Sequence, residues 1–155
     1  MAQIEDETVD SALARFQLNA DRRRLVYSGR LVAVKRVDLL IDAFAAIAAQ
    51  RPEWDLLIIG DGPARSALQA RVPPTIQGRV SWTGFLDDSK QIMALYRASD
   101  VLVLPSDAEP WAVVINEGAA AGLALIASDV VGAAAELVRN KFNGQIFPAG
   151  NADAL

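Results

Sequence analysis

The segment Ser106-Asp107-Ala108-Glu109-Pro110-Trp111-Ala112-Val113-Val114-Ile115-Asn116-Glu117 follows an apolar run, Asp100-Val101-Leu102-Val103-Leu104. That run has the character of a buried strand and is bounded by Pro105. Residues 111–121 then predict a helix. Pro110 suits its first turn, where the missing N–H costs nothing, and Gly122 suits its C-terminal cap. Glu109 lies in the loop before this helix and Glu117 about two turns along it. Between the two carboxylates lie free backbone N–H groups and the positive end of the helix dipole, a ready anion site. Carboxylates beside such a site accept hydrogen bonds from hydroxyls. The stretch therefore suggests a ligand that is anionic in its middle and rich in hydroxyls at both ends.

Outward from this segment, short apolar runs alternate with helical patterns. Residues 24–28 predict a strand ending at Gly29. Apolar residues then recur at Val37, Leu40, Ile41, Phe44, Ile47 and Ala48 with helical spacing, which stops before Pro52. Residues 55–59 predict a second strand, closed by Gly60-Asp61-Gly62-Pro63, and a helix over 64–71 that Pro73-Pro74 breaks. Residues 79–83 predict a third strand. Asp88 or Ser89 can cap the helix that follows it. Beyond the central segment, residues 123–127 and 144–147 predict two more strands, separated by a short helix over 133–138. Alternation of this kind predicts an α/β domain: a single Rossmann-like unit with a parallel sheet of about six strands and helices on both faces. In such sheets ligands bind outside the carboxyl ends of the strands, near the point where strand order reverses. Arg30, Lys35, Phe85 and Glu109 all fall in those loops. Residues 1–23 read as a linker or a peripheral helix, and 24–155 as the domain. Residues 151–155 resemble the start of a further helix, so a domain truncated at its C-terminus is expected.

Composition narrows the chemistry. A chain of 155 residues with 52% hydrophobic and 22% charged residues describes one globular domain with a sizeable core. It contains no cysteine and no histidine, which removes thiolate chemistry, the commonest general base and the commonest metal ligand. A formal net charge of −4 argues against nucleic acid as a partner, although a small phosphorylated ligand needs only one or two local cations. No apolar run is long enough to span a bilayer, and the acidic start lacks signal-peptide character, so a cytoplasmic location is expected.

Arg30 and Lys35 offer a planar fork and a compact charge in one loop, a pairing suited to phosphate oxygens; the spacing equally describes two surface cations. Gly60-Asp61-Gly62 lacks the third glycine of the dinucleotide fingerprint and reads as a turn. Phe85-Leu86 can border a flat base or simply pack. Glu109 and Glu117 could also be solvated carboxylates, or the acid and nucleophile of a glycoside hydrolase. The last requires the loop to fold back onto the helix.

Several motifs taken together resemble family 4 (group 1) retaining glycosyltransferases of GT-B architecture. They are Tyr27-Ser28-Gly29-Arg30-Leu31 with Lys35, Ile58-Ile59-Gly60-Asp61-Gly62-Pro63, Thr83-Gly84-Phe85-Leu86, Glu109-Pro110-Trp111 with Glu117 eight positions on, Ile126-Ala127-Ser128-Asp129, and Phe142-Asn143-Gly144-Gln145-Ile146-Phe147-Pro148. The resemblance implies one half of a GT-B enzyme, the C-terminal domain that binds a nucleotide-diphosphate sugar. It implies a hexosyltransferase-type activity that needs the acceptor-binding N-terminal domain, the isolated domain being inactive by itself. Any peripheral membrane contact would run through that other domain. Arg30 and Lys35 would hold the diphosphate, Glu109 the transferred sugar and Glu117 the ribose. The backbone of Trp111, Ala112 and Val113 would approach phosphate and sugar, and Phe85-Leu86 would border the base. No metal or other cofactor is expected. The chain has Ala112 and Ala124 where the family usually has glycine and proline. A stand-alone or decayed nucleotide-binding module is the alternative, and a GT-B epimerase domain a further one.

Overall fold

The computed structural model describes the backbone of residues 2–155 and the side chains of residues 9–155. Six strands form one parallel sheet: β1 (Arg23–Ser28), β2 (Trp54–Ile59), β3 (Val80–Trp82), β4 (Val101–Leu104), β5 (Ala124–Ser128) and β6 (Gly144–Phe147). Their spatial order is β3-β2-β1-β4-β5-β6. Among the described residues six α-helices accompany them: α1 (Ala2–Arg15), α2 (Val37–Ile47), α3 (Arg65–Arg71), α4 (Ser89–Arg97), α5 (Val113–Ala120) and α6 (Gly132–Leu137). The expected Rossmann-like architecture is present.

The apolar runs form strands because both faces of the sheet are covered. Leu56, Leu57, Ile58 and Ile59 are consecutive and all buried, which a strand with one wet face does not permit. On β1, Val26 and Tyr27 are fully buried in the same way. Beside them Arg24 is buried as well. Its guanidinium donates to the Ala98 carbonyl at 2.6 Å and the Asn19 carbonyl at 2.7 Å. Its backbone N–H donates to Asp100 Oδ2 at 2.8 Å. Burial lowers the Arg24 pKa, and Asp55 and Asp100 oppose that shift. The residue fastens the turn before β1 to the turn before β4, at the amino edge of the sheet.

The early residues form α1, and its Ala12 and Leu13 are buried. Helix α4 is capped by Asp88, whose Oδ1 accepts the Lys90 N–H at 2.9 Å. Past Pro73 the chain makes a 3₁₀ turn over Pro74–Arg79, where the sequence predicted only a break. Residues 151–155 make a single turn, in which Asn151 Oδ1 accepts the Ala154 N–H at 3.0 Å.

The helix after β4 starts later than the expected residue 111. Helix α5 starts at Val113, so Pro110 and Trp111 lie outside it. Residue 109 is instead bridged in parallel to Val131, and the Gly132 N–H donates to the Glu109 carbonyl at 3.1 Å. These contacts keep the chain out of the helix, bent at Pro110 and extended at Ala112 (φ −128°, ψ 101°), and only then can it coil. Gly122 (φ +82°) closes the other end of α5, as expected.

Gly60-Asp61-Gly62 is more than a turn. Gly60 forms an isolated bridge with Gly84 and adopts φ +134°. A Cβ there would lie 1.9 Å from the Gly29 carbonyl oxygen. Three loops at the carboxyl edge therefore pack backbone to backbone at this point. Gly60→Ala should cost about 3 kcal/mol through overpacking and backbone strain, lowering Tm by roughly 6–12 °C. Gly78→Ala, where a Cβ meets nothing within 4 Å, should leave Tm nearly unchanged. Equal melting of the two variants by calorimetry would refute this account of Gly60.

Candidate functional site

Strand order reverses between β1 and β4: β2 and β3 lie on one side, β5 and β6 on the other. The loops after β1 and β4 therefore lie at the switch point, outside the carboxyl ends of the strands, where ligands bind in such sheets. Lys35, in the first loop, forms an ion pair with Glu109 in the second, Nζ to Oε2. Both side chains are mostly buried, at 23% and 13% exposure. The same loops meet again where the Asp107 N–H donates to the Val34 carbonyl at 2.8 Å. They meet a third time where Arg36 Nη1 reaches the Asp107 carboxylate at 3.2 Å.

Arg30 is exposed, and its side chain has no hydrogen bond or ion pair among the described residues. Its carbonyl accepts the Tyr27 hydroxyl proton at 2.9 Å. Burial, with the Glu109 charge adding, pushes the Tyr27 hydroxyl well above its ordinary range. It therefore stays protonated and able to donate. Arg30 shares a cleft of about 190 Å³ with Ser28, Gly29, Gly60, Phe85 and Leu86. Phe85 is 74% exposed and Leu86 is half-buried. The structure thus brings Arg30 together with Phe85-Leu86, while Lys35 and Glu109 lie outside that lining.

Glu117 is reached from a side the sequence did not reveal. Tyr96 on α4 is fully buried and donates its hydroxyl to Glu117 Oε2 at 3.3 Å. Burial is the main cause that pushes the Tyr96 pKa up to about 12; a Ser28 hydrogen bond opposes the shift and Glu117 adds to it. The carboxylate of α5 is thereby linked to a buried tyrosine of α4.

Trp111 and Val113 are 46% and 61% exposed, and Ala112 between them is buried. No side chain caps α5 at Ala112, so no protein side chain there competes for the first-turn N–H groups. The negative φ of Ala112 accepts a methyl without strain. Gly132 supports this loop by close approach: a Cβ on it would lie 2.0 Å from the Pro110 carbonyl oxygen.

Fold and site together define a doubly wound α/β domain whose polar groups converge at the carboxyl edge, at the reversal of strand order. The chain belongs to the glycosyl transferases group 1, whose family model matches residues 10–155. It is 32% identical over 134 residues to an exopolysaccharide phosphotransferase of Streptomyces coelicolor, covering 86% of this chain and 14% of that protein. It is 35% identical over 134 residues to a D-inositol 3-phosphate glycosyltransferase of Rhodococcus jostii, covering 79% and 29%. Among solved structures, Anabaena HepE in complex with UDP and glucose superposes with a TM-score of 0.75 at 26% identity, over 96% of this chain and 40% of that one. The fold is that of GT-B glycosyltransferase structures, and the chain spans well under half the length of these relatives.

Tyr96 provides a titration test. Its folded pKa lies above the ordinary tyrosine value of 10.0, so the native state holds this proton more tightly than the unfolded chain. The resulting stability is fully present below pH 10 and is lost as pH rises through about 12. Urea unfolding should show wild-type stability falling steeply over that interval, and Tyr96→Phe should show a shallower fall. Identical slopes would contradict the assignment.

Proposed function

We propose that this chain is the donor-binding domain of a retaining glycosyltransferase and takes a nucleotide-diphosphate sugar. The observation that carries the reading is the Lys35–Glu109 pair at the reversal of strand order, beside an α5 N-terminus that no side chain caps. Lys35 supplies a cation to the diphosphate and Arg30 a second, bidentate one from the exposed loop. The dipole of α5 adds to both, through backbone N–H groups near Trp111, Ala112 and Val113. Charge that develops on the leaving diphosphate meets groups already in place, which is electrostatic stabilisation of the transition state. Glu109 accepts hydrogen bonds from the hydroxyls of the transferred hexose, Glu117 from those of the ribose, and Phe85-Leu86 border the base.

The strain-free backbone at Ala112 supports a working site over a decayed one. The separate partners of the two carboxylates, Lys35 for Glu109 and Tyr96 for Glu117, suit two binding roles better than a facing acid–nucleophile pair. The acceptor and the remaining catalytic groups belong to an N-terminal domain of the full enzyme. The isolated domain therefore binds donor and transfers little or no sugar. The enzyme acts in the cytoplasm. Any peripheral membrane contact of the enzyme runs through the other domain; among the described residues no helix is long and apolar enough to cross a membrane.

Thermal shift with UDP, GDP, ADP and their sugars should single out one base. A ligand at about 100 times its Kd stabilises by roughly 2.7 kcal/mol, or about 5–10 °C in a domain of this size. Lys35→Ala should abolish the shift. Because the diphosphate is neutralised by Arg30, Lys35 and the helix dipole, the shift should persist in EDTA. A wild-type domain indifferent to every nucleotide, or a shift that Lys35→Ala retains, would sink the donor site; a shift lost in EDTA would sink its metal independence.

A further inference from the structure

Arg36 combines two features that the donor reading leaves unused. Its backbone is left-handed (φ 54°, ψ 41°) at the junction where the 3₁₀ turn Ala33–Lys35 ends and α2 begins. Left-handed backbone is uncommon for a residue with a Cβ and is retained where the surroundings over-determine it. Here the surroundings are specific. The Arg36 N–H donates to the Ala33 carbonyl at 3.1 Å, and its own carbonyl accepts the Leu39 N–H at 3.1 Å. Its guanidinium spans two carboxylates, Asp38 at 3.1 Å on α2 and Asp107 at 3.2 Å on the loop after β4. Asp107 in turn donates its N–H to the carbonyl of Val34.

Two cations adjacent in sequence, Lys35 and Arg36, thus reach two carboxylates spaced by two residues, Asp107 and Glu109. One loop therefore presents both carboxylates to the other. The links differ in exposure. Lys35 and Glu109 are 23% and 13% exposed, whereas Asp107 is 44% exposed and Arg36 27%. On the donor reading, the inner pair must part so that Lys35 can meet phosphate and Glu109 can meet sugar. The outer pair contacts neither.

We infer that the Arg36–Asp107 pair is a clasp that holds the loops after β1 and β4 in register while Lys35 and Glu109 exchange each other for the donor. Arg36 and Asp107 are positioning residues, acting through the spacing they impose on the inner pair. The inference rests on the donor reading, and the two fail in different ways. Exposed pairs of this kind contribute little to stability, so the clasp is visible in binding rather than in melting.

Its sign separates it from plain electrostatics. If Arg36 and Asp107 acted only through their charges, losing the cation would weaken diphosphate binding and losing the anion would strengthen it. A clasp requires both losses to weaken it. The test is calorimetric titration of the wild type, Arg36→Gly, Asp107→Asn and the double variant with the nucleoside diphosphate that shifts the wild type. Glycine suits the left-handed backbone at 36, and Asp107→Asn alters an exposed loop residue, so neither should impair folding. Each single variant is expected to bind three- to tenfold more weakly at wild-type Tm, and the double variant no more weakly than the worse single one. Unchanged or tighter binding by Asp107→Asn, or losses that multiply in the double variant, overturns the clasp. A wild type that binds no nucleoside diphosphate overturns the donor reading beneath it.

Discussion

Parallel pairing of β1 with β4 is the constraint on which the rest of this molecule depends. The two strands are distant in sequence, yet Leu25 lies opposite Val101 and Val26 opposite Leu102. That pairing places the reversal of strand order between them and sets the loops that follow them side by side at the carboxyl edge. It is secured at the opposite edge by Arg24, whose side chain and backbone N–H bind the turn before β4. A buried guanidinium is costly unless its hydrogen bonds are met. Here carbonyls take up much of its donor capacity, so it fixes one relative placement of the strands. Without that placement, Lys35 and Glu109 would be two unrelated surface charges.

Charge at the carboxyl edge is organised in layers that follow from the same geometry. The inner ion pair is mostly shielded from water, where a Coulombic attraction is worth more than at the surface. The outer pair is more exposed and acts as a tether. The Arg30 side chain is left free of protein partners among the described residues, while its carbonyl is held by the Tyr27 hydroxyl. A site that receives a polyanion needs at least one cation uncommitted beforehand and others whose partners can be replaced, and this edge has both. Tyr96 holds Glu117 by a hydrogen bond from a hydroxyl that burial keeps protonated.

Much of the fold was legible because buried parallel strands leave a strong local trace. Runs such as Leu56-Leu57-Ile58-Ile59 have no other plausible state between glycine-rich loops, and β6 falls on the residues expected of it. The helix after β4 was misplaced at its start because proline at 110 fits a first helical turn locally. The bridge of residue 109 to Val131 overrides that preference, and no local signal announces a bridge to a residue more than twenty positions away. The same is true of the site. Lys35, Glu109 and Glu117 stood out by type and spacing, whereas Arg36, Asp107 and Tyr96 did not.

By itself the sequence determined the parallel α/β class, the strands, the family and the loops in which the polar residues lie. Those properties depend on apolar periodicity, turn residues and short motifs, all written in neighbouring positions. Which polar groups become partners depends instead on the assembled fold: Lys35 with Glu109, Arg36 with Asp107, Tyr96 with Glu117. An ion pair or hydrogen bond forms over a few ångströms, and residues roughly seventy positions apart in the chain, such as Lys35 and Glu109, come within that range only when the sheet has been assembled.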